Sequence, residues 1–105
     1  MLVNVTLQTF QSENELELSI ARWDQIKDKF MPRFGEFGLT RYTISRIWNK
    51  NNNLQLAHIF EYTDKEAMQN CIPIWQEIET QFKDKIPSIT VAHRGVLVDQ
   101  YSYEQ

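Results

Sequence analysis

A histidine near the middle of the chain is the residue whose chemistry most suggests a functional site. His58 stands in a stretch rich in apolar and aromatic residues at positions 54–62. Because an imidazole titrates close to neutral pH, a histidine on an aromatic sheet face could shuttle a proton or orient a phenolic ligand. The plainer alternative is a hydrogen-bonded histidine that fills an interface. His58 is therefore a candidate catalytic residue, although no carboxylate is predicted on its face.

An arginine and several aromatic residues accompany His58 as candidates for a ligand pocket. Arg46, between Ile44 and Trp48, could bind a carboxylate or stack on the indole, since a guanidinium does both. Its alternative is a salt bridge at an interface near the end of a hairpin. The candidate pocket residues, all on one predicted sheet face, are Tyr42, Arg46, Trp48, His58, Phe60 and Tyr62. Tyrosines in such positions are also ordinary dimer contacts.

The second histidine, His93, and the one cysteine, Cys71, are weaker candidates for a functional site than His58. His93 and Arg94 are adjacent in a predicted strand, so their side chains point to opposite faces, although His93 could share a face with His58. With no thiolate or carboxylate beside these histidines, a zinc site would lack ligands, and we expect neither metal nor cofactor. Cys71 lies in an apolar helical stripe and is predicted to be a buried small hydrophobe rather than a nucleophile.

Length, charge and hydropathy limit the class of protein. The chain has 105 residues, of which 42% are apolar and 24% charged, which predicts a single folded domain over residues 1–105. The net charge is -3 and no basic run is present, so we do not expect a nucleic-acid partner. No apolar run has the length of a membrane span, and the N-terminus does not resemble a secretory signal. We therefore expect a soluble, cytoplasmic protein with its lone cysteine reduced.

The first half of the chain reads as a strand, a helix and a second strand. Residues 2–10 alternate apolar and polar side chains, as a half-buried strand does. Ser12 and Glu15 have the spacing of a capping box, which predicts a helix start. One apolar stripe then follows the helical period through Leu16, Ile20, Trp23, Ile26, Phe30 and Phe34. Pro32 predicts an end or a kink in this helix, and residues 39–48 read as the next strand.

The second half repeats the strand–helix–strand order. Residues 39–48 and 54–62 are separated by the asparagine-rich segment 49–53, which predicts a hairpin. Thr63 and Glu66 predict a second capping box, and the helical stripe that follows contains Ala67, Cys71, Ile74, Ile78 and Phe82. Pro73 predicts a kink or a division of this helix. Residues 89–98 read as the fourth strand.

Two strand–helix–strand units in succession predict a ferredoxin-like α+β fold of βαββαβ order. Both helices should then cover one face of a four-stranded antiparallel sheet. Strand parity places the aromatic pocket candidates on one face and Leu39, Thr43, Ile47, Ala57 and Ile59 on the other. The smaller side chains of the second set favour that face as the one under the helices. The aromatic face, roughly 400 Å² in plan, would then be open.

An open aromatic face of that size predicts a second copy of the chain. Monomers seldom leave an apolar patch of a few hundred Å² exposed to water. We therefore expect a homodimer formed sheet to sheet about a two-fold axis. The mixture of Tyr, His and Arg with Trp and Phe favours a partly hydrated cavity at this face.

The stretch of residues 57–68, with the sequence AHIFEYTDKEAM, resembles the dimeric α+β barrel superfamily. In that superfamily a strand ends in an aromatic residue and an acidic turn leads into a helix that carries Glu and Ala. The superfamily includes small cofactor-independent monooxygenases and stress-responsive barrel proteins. Many members have a histidine in the second helix, where this chain has Gln69, Asn70 and Cys71. The resemblance implies a barrel-like dimer with a small-molecule cavity in each protomer.

Three hypotheses on function remain at this point. The first is a protein that binds a small, mostly apolar ligand in a cavity at the sheet face. The second is a cofactor-independent monooxygenase or isomerase for an aromatic or polyketide-like substrate, in which His58 takes a proton and Arg46 or Tyr42 holds the resulting oxyanion. The third is a structural dimerisation module whose sheet face is solid interface.

Overall fold

The part of the chain that the structure describes contains six secondary-structure elements, in the order that the strand and helix periods of the sequence predicted. The computed structural model describes residues 1–50, 54–82 and 84–103. The elements are β1 (Leu2–Phe10), α1 (Glu13–Glu36), β2 (Leu39–Arg46), β3 (Gln55–Tyr62), α2 (Lys65–Glu79) and β4 (Ser88–Val96). The strands form one antiparallel sheet in the order β2-β3-β1-β4. This confirms the ferredoxin-like α+β fold. Residues 51–53 of the predicted turn segment 49–53 lie outside the described residues.

The two helix starts use side-chain caps, but only the first cap is the predicted one. The Ser12 hydroxyl oxygen accepts the backbone N–H of Glu15 at 3.2 Å. At α2 the predicted N-cap, Thr63, was wrong by one residue. The N-cap is Asp64, whose carboxylate accepts the backbone N–H of Ala67 at 2.8 Å. Aspartate is as strong an N-cap as serine, and its charge also favours the positive helix end. The Thr63 N–H instead donates to the Gly38 carbonyl at 2.9 Å.

Both helices continue through their prolines. α1 runs past Pro32 to Glu36, and α2 is undivided at Pro73, so neither helix ends where the prolines predicted. Each proline faces solvent, while fully buried neighbours such as Phe34 and Cys71 pack on the core side of the same turns. Tertiary packing of the apolar stripe therefore holds these turns despite the lost backbone hydrogen bond.

The aromatic sheet face lies under the helices, which corrects the prediction that it is open. The register pairs Tyr42 with Phe60 and Ile44 with His58, so the predicted sharing of one face is confirmed. Phe60 and Tyr62, however, belong to the buried core together with Phe30, Phe34, Cys71 and Ile74 of the two helices. The helices themselves carry large aromatic rings, and these fill space best against aromatic rings of the sheet. Strand parity shows which residues share a face, but it does not show which face is covered.

The opposite face is aliphatic and has no helix over it. We call it the open face and define it by Val3, Val5, Leu7, Ala57, Ile59, Ile89 and Val91, which the register places together. Leu39, predicted for this side, lies in the helix-covered core instead, because the register shifts between Leu39 and Arg41. His93 pairs with Val5 and therefore lies on the open face, whereas His58 pairs with Thr6 on the covered one. The two histidines thus do not share a face.

Cys71 is fully buried, as the apolar stripe predicted. Its side chain has 0% exposure within the core cluster, and burial raises the pKa of the thiol. A protonated, inaccessible thiol is a poor nucleophile.

Among the described residues, no helix combines the length and the apolar character needed to cross a membrane.

Candidate functional site

A cleft opens between the two helices and the covered face of the sheet. Its volume is about 490 Å³, within the range of small-molecule sites. The sheet contributes side chains from all four strands, and α1 and α2 contribute Trp23 and Trp75. The segment that joins α2 to β4 contributes Asp84, Lys85 and Ile86 at one end. The cleft therefore lies where the two strand–helix–strand units meet.

Four aromatic rings form the apolar wall of this cleft. Tyr42 lies 4.9 Å from Phe60 and 5.5 Å from Trp23, measured between ring centroids. Trp75 lies 5.0 Å from Phe60, nearly perpendicular to it, and 5.9 Å from Trp23. These separations are those of favourable aromatic pairs. The Trp75 indole N–H also donates to the Tyr62 hydroxyl at 3.4 Å, which helps to hold the ring in place.

A chain of hydrogen bonds forms the polar part of the cleft. The Tyr42 hydroxyl lies 2.8 Å from His58 Nδ1, and His58 Nε2 lies 2.8 Å from Gln8 Oε1. Gln8 Nε2 in turn donates to Ser88 Oγ at 3.1 Å. With an amide oxygen facing it, Nε2 of a neutral imidazole carries the proton, so Nδ1 accepts from Tyr42. Both ring nitrogens of His58 are thus engaged within the chain.

Strand register brings these side chains together. Thr6 is paired with His58, and Gln8 is two residues further along the same side of β1. Tyr42 is likewise two residues from Ile44, the partner of His58 on β2. Diagonal neighbours at this offset are within reach of long side chains. The site is therefore built on three adjacent strands rather than on a loop.

Burial sets the protonation of the two central groups. It lowers the pKa of His58 and raises that of Tyr42 well above its ordinary value, because water is withdrawn from the charged form of each. Near neutral pH the imidazole is accordingly uncharged and the phenol protonated.

Among the described residues, no group of three or more His, Cys, Asp or Glu side chains is placed to hold a metal ion.

The depressed pKa of His58 predicts a loss of stability in mild acid. The unfolded chain takes up a proton near the ordinary histidine pKa of about 6.5, whereas the folded chain resists it. The free energy of unfolding should be fully present above that pH and decrease as pH falls toward the folded pKa. NMR titration of the ring protons and thermal unfolding across this range measure both quantities. His58→Gln should flatten the decrease, and a His58 ring that titrates at or above its ordinary pKa would contradict the prediction.

The structure brings together some of the predicted pocket residues and separates others. Tyr42, His58 and Phe60 line the cleft, and Tyr62 lines a groove adjacent to it. Arg46 does not line the cleft, since its guanidinium pairs with Glu13 at 2.8 Å and with Glu17 at 3.2 Å on α1. Trp48 is 83% exposed, beyond the end of β2, and also lies outside the cleft.

Three residues of the site escaped the sequence reasoning. Trp23 was placed only in an apolar helical stripe, and both Trp23 and Trp75 pack against the core while also forming the cleft wall. Gln8 was taken only as a polar position in an alternating strand. A polar row of Asn4, Thr6 and Gln8 opposite an aliphatic row was the available signal, because it already marked two chemically different faces of β1.

Comparison with known proteins bears on the fold and the family. The chain is 29% identical to a dimeric ferredoxin-like protein from an uncultured marine organism, covering 98% of this chain and 100% of that one, with a TM-score of 0.85. A second dimeric ferredoxin-like protein from an uncultured marine organism matches at 17% identity, with 95% and 97% coverage and a TM-score of 0.79. An antibiotic biosynthesis monooxygenase matches at 11% identity, with 92% and 99% coverage and a TM-score of 0.60.

These matches support the resemblance that residues 57–68 suggested, and at the lower identities they concern the fold alone. The search of curated proteins found no match. A family model described as a domain of unknown function, DUF6974, matches residues 1–97. Since that match spans both strand–helix–strand units and every residue of the cleft, the chain belongs to the DUF6974 family.

Proposed function

We propose that the protein binds a small, mostly apolar, ring-containing ligand in the cleft between the helices and the sheet. The observation that carries this proposal is the aromatic wall of Trp23, Tyr42, Phe60 and Trp75 beside the hydrogen-bonded His58. Binding sites typically combine such apolar walls with a few placed polar groups. A planar ring between these side chains would gain stacking contacts while displacing water from apolar surface.

The hydrogen-bond chain indicates which polar group the ligand should carry. Because the Tyr42 hydroxyl donates to His58, its oxygen keeps acceptor capacity for a donor on the ligand. A phenolic hydroxyl or a ring N–H supplies such a donor. His58 then acts as a positioning residue that orients Tyr42 rather than as a group in contact with the ligand.

Ligand binding fits this arrangement better than proton abstraction does. A general base needs a free lone pair within hydrogen-bond reach of the substrate proton. In His58, Nδ1 accepts from Tyr42 and Nε2 donates to Gln8, so catalysis would require one of these bonds to break. The monooxygenase among the structural neighbours is 11% identical and supports a shared fold, not a shared reaction.

Titration with 2-naphthol tests the proposal, because this probe is planar, apolar and carries one hydroxyl donor. We expect saturable quenching of tryptophan fluorescence and a rise in the unfolding temperature. Tyr42→Phe removes the acceptor and should weaken binding about fivefold to tenfold, the value of one hydrogen bond. Tyr101→Phe is the matched control, since Tyr101 is 80% exposed and outside the cleft. Absence of saturable binding up to about 1 mM, or equal losses in both variants, would overturn the proposal.

We also propose that two copies associate through the open face. Its aliphatic side chains include Ile89 at 71% and Val91 at 49% exposure in the single chain. A mainly apolar surface of this kind is stabilised by burial against a second copy about a two-fold axis. The 29% identical neighbour is a dimeric ferredoxin-like protein, which supports a dimer here. Sedimentation at micromolar concentration should give twice the chain mass of 12.5 kDa, and a species of the single mass would refute it.

A further inference from the structure

A second groove continues from the cleft toward the edge strand β4. Its volume is about 500 Å³, and it shares Thr6, Phe60, Trp75, Glu79 and Thr90 with the cleft as common wall. Neither helix covers β4, whose residues are all exposed in the single chain. The groove therefore extends the cleft laterally across β1, and a ligand longer than one ring would enter it.

The walls of this groove combine apolar side chains with the polar residues Asn4, Thr6, Gln76, Glu79 and Thr90. Tyr62, Met68 and Ile72 form one side, and Arg94 of β4 supplies a guanidinium. Arg94 Nε donates to Asn4 Oδ1 at 3.2 Å, and Asn4 Nδ2 donates to Thr6 Oγ1 at 2.9 Å. Asn4 is only 6% exposed, so the residue that orients the guanidinium is itself buried in the sheet.

The charge of Arg94 is not balanced by a carboxylate in ion-pair contact. Arg33, Arg41 and Arg46 each lie within 4.0 Å of a glutamate, whereas Arg94 has no such partner among the described residues. The hydrogen bond of Arg94 to Asn4 uses Nε and leaves the two terminal nitrogens as donors. Glu79, on the shared wall, lies beyond ion-pair distance and disfavours an anion near α2. The groove thus places positive charge at the β4 side.

Register sets the span between the two polar ends. Tyr42, Phe60, Asn4 and Arg94 form one row across the four strands. Three strand spacings put the Cα atoms of Tyr42 and Arg94 about 14 Å apart. Long side chains from both ends shorten the gap that a ligand must cross. Apolar Phe60 and Trp75 lie between the ends.

We infer that the ligand is an amphipathic organic acid whose ring occupies the cleft and whose carboxylate binds Arg94. This inference rests on the proposed binding function and adds the chemical class. A guanidinium with two free terminal nitrogens matches a carboxylate in a bidentate geometry. Phe60 and Trp75, between Tyr42 and Arg94, offer apolar surface to a short alkyl chain that links ring and acid.

A matched pair of probes tests the inference: 4-(2-naphthyl)butanoic acid and its neutral amide. In the wild type we expect the acid to bind roughly fivefold to tenfold more tightly than the amide, with the advantage reduced by added salt. Arg94→Gln should abolish this difference and weaken acid binding more than amide binding, while Arg94→Lys should keep part of the difference. Lys27→Gln is the control, since Lys27 lies on α1 in an exposed pair with Asp24.

The outcomes separate the two proposals. If neither probe binds the wild type, the binding function itself fails. If the amide binds and the acid gains nothing, or if Arg94→Gln leaves the gain intact, the Arg94 site is refuted while the cleft remains. Circular dichroism of Arg94→Gln verifies that the variant is folded before affinities are compared.

Discussion

Replacement of Val5 by glutamate should convert the protein from a dimer to a folded monomer. Val5 lies on β1, one of the two inner strands, and pairs with Ile59 and His93 on the open face. In a single chain this face meets water, so a carboxylate there costs little. In a dimer the symmetry would bring two such carboxylates together in a mainly aliphatic interface, where each loses water and repels the other.

The expected increase in the dimer dissociation constant is at least about 100-fold, because burial of charge in a mainly apolar interface costs several kcal/mol. Sedimentation velocity across a concentration series measures it. Leu18→Glu is the matched control: Leu18 is 45% exposed on α1, away from the open face, and its replacement should leave the dimer intact. A Val5→Glu protein that sediments as the wild type does would remove the open face as the interface.

Replacement of Gly38 by alanine should be the most damaging change to a residue outside the core. Gly38 has a φ of 105°, where a side chain is strained. An added Cβ would lie 2.6 Å from Ala67 Cβ and 2.8 Å from Thr63 Oγ1. Strain and overpacking together predict a loss of about 3 kcal/mol in the free energy of unfolding.

Gly35→Ala is the matched control for this loss, which chemical denaturation can measure. Gly35 lies inside α1, and nothing stands within 4 Å of a Cβ built there. Alanine is the better helix former, so this variant should gain up to about 1 kcal/mol. Equal effects of the two substitutions would mean that the contact of Gly38 with the start of α2 does not constrain the fold.

The Gly38 contact explains how the two halves of the chain are joined. The Gly38 carbonyl accepts the Thr63 N–H, so the residue that precedes β2 touches the residue that precedes the α2 cap. In the sequence, Gly38 lies between the first predicted helix and the strand predicted from residue 39. The sequence did not predict the partner, because residues 38 and 67 meet only after both strand–helix–strand units have packed.

The predicted pocket residues also show what strand parity can and cannot predict. Tyr42, His58 and Phe60 were grouped by strand parity, which is a local property of extended backbone, and they do line one cleft. Arg46 was grouped by the same rule, yet its long side chain reaches Glu13 and Glu17 on α1. Parity determines the direction in which a side chain leaves the strand, but not the partner that the charged end finds. Trp48 falls past the last residue of β2, so parity no longer applies to it.

The amino-acid sequence by itself determined the order of the elements, the βαββαβ fold and most of the residues that share each sheet face. These follow from periods of two and 3.6 residues and from local caps, which act over a few neighbouring positions. Only the tertiary structure decided that the helices cover the aromatic face and leave the aliphatic one open. That choice depends on how the rings of Trp23, Phe34 and Trp75 fit against Tyr42 and Phe60 across the core, and such complementarity between distant segments has no local signature.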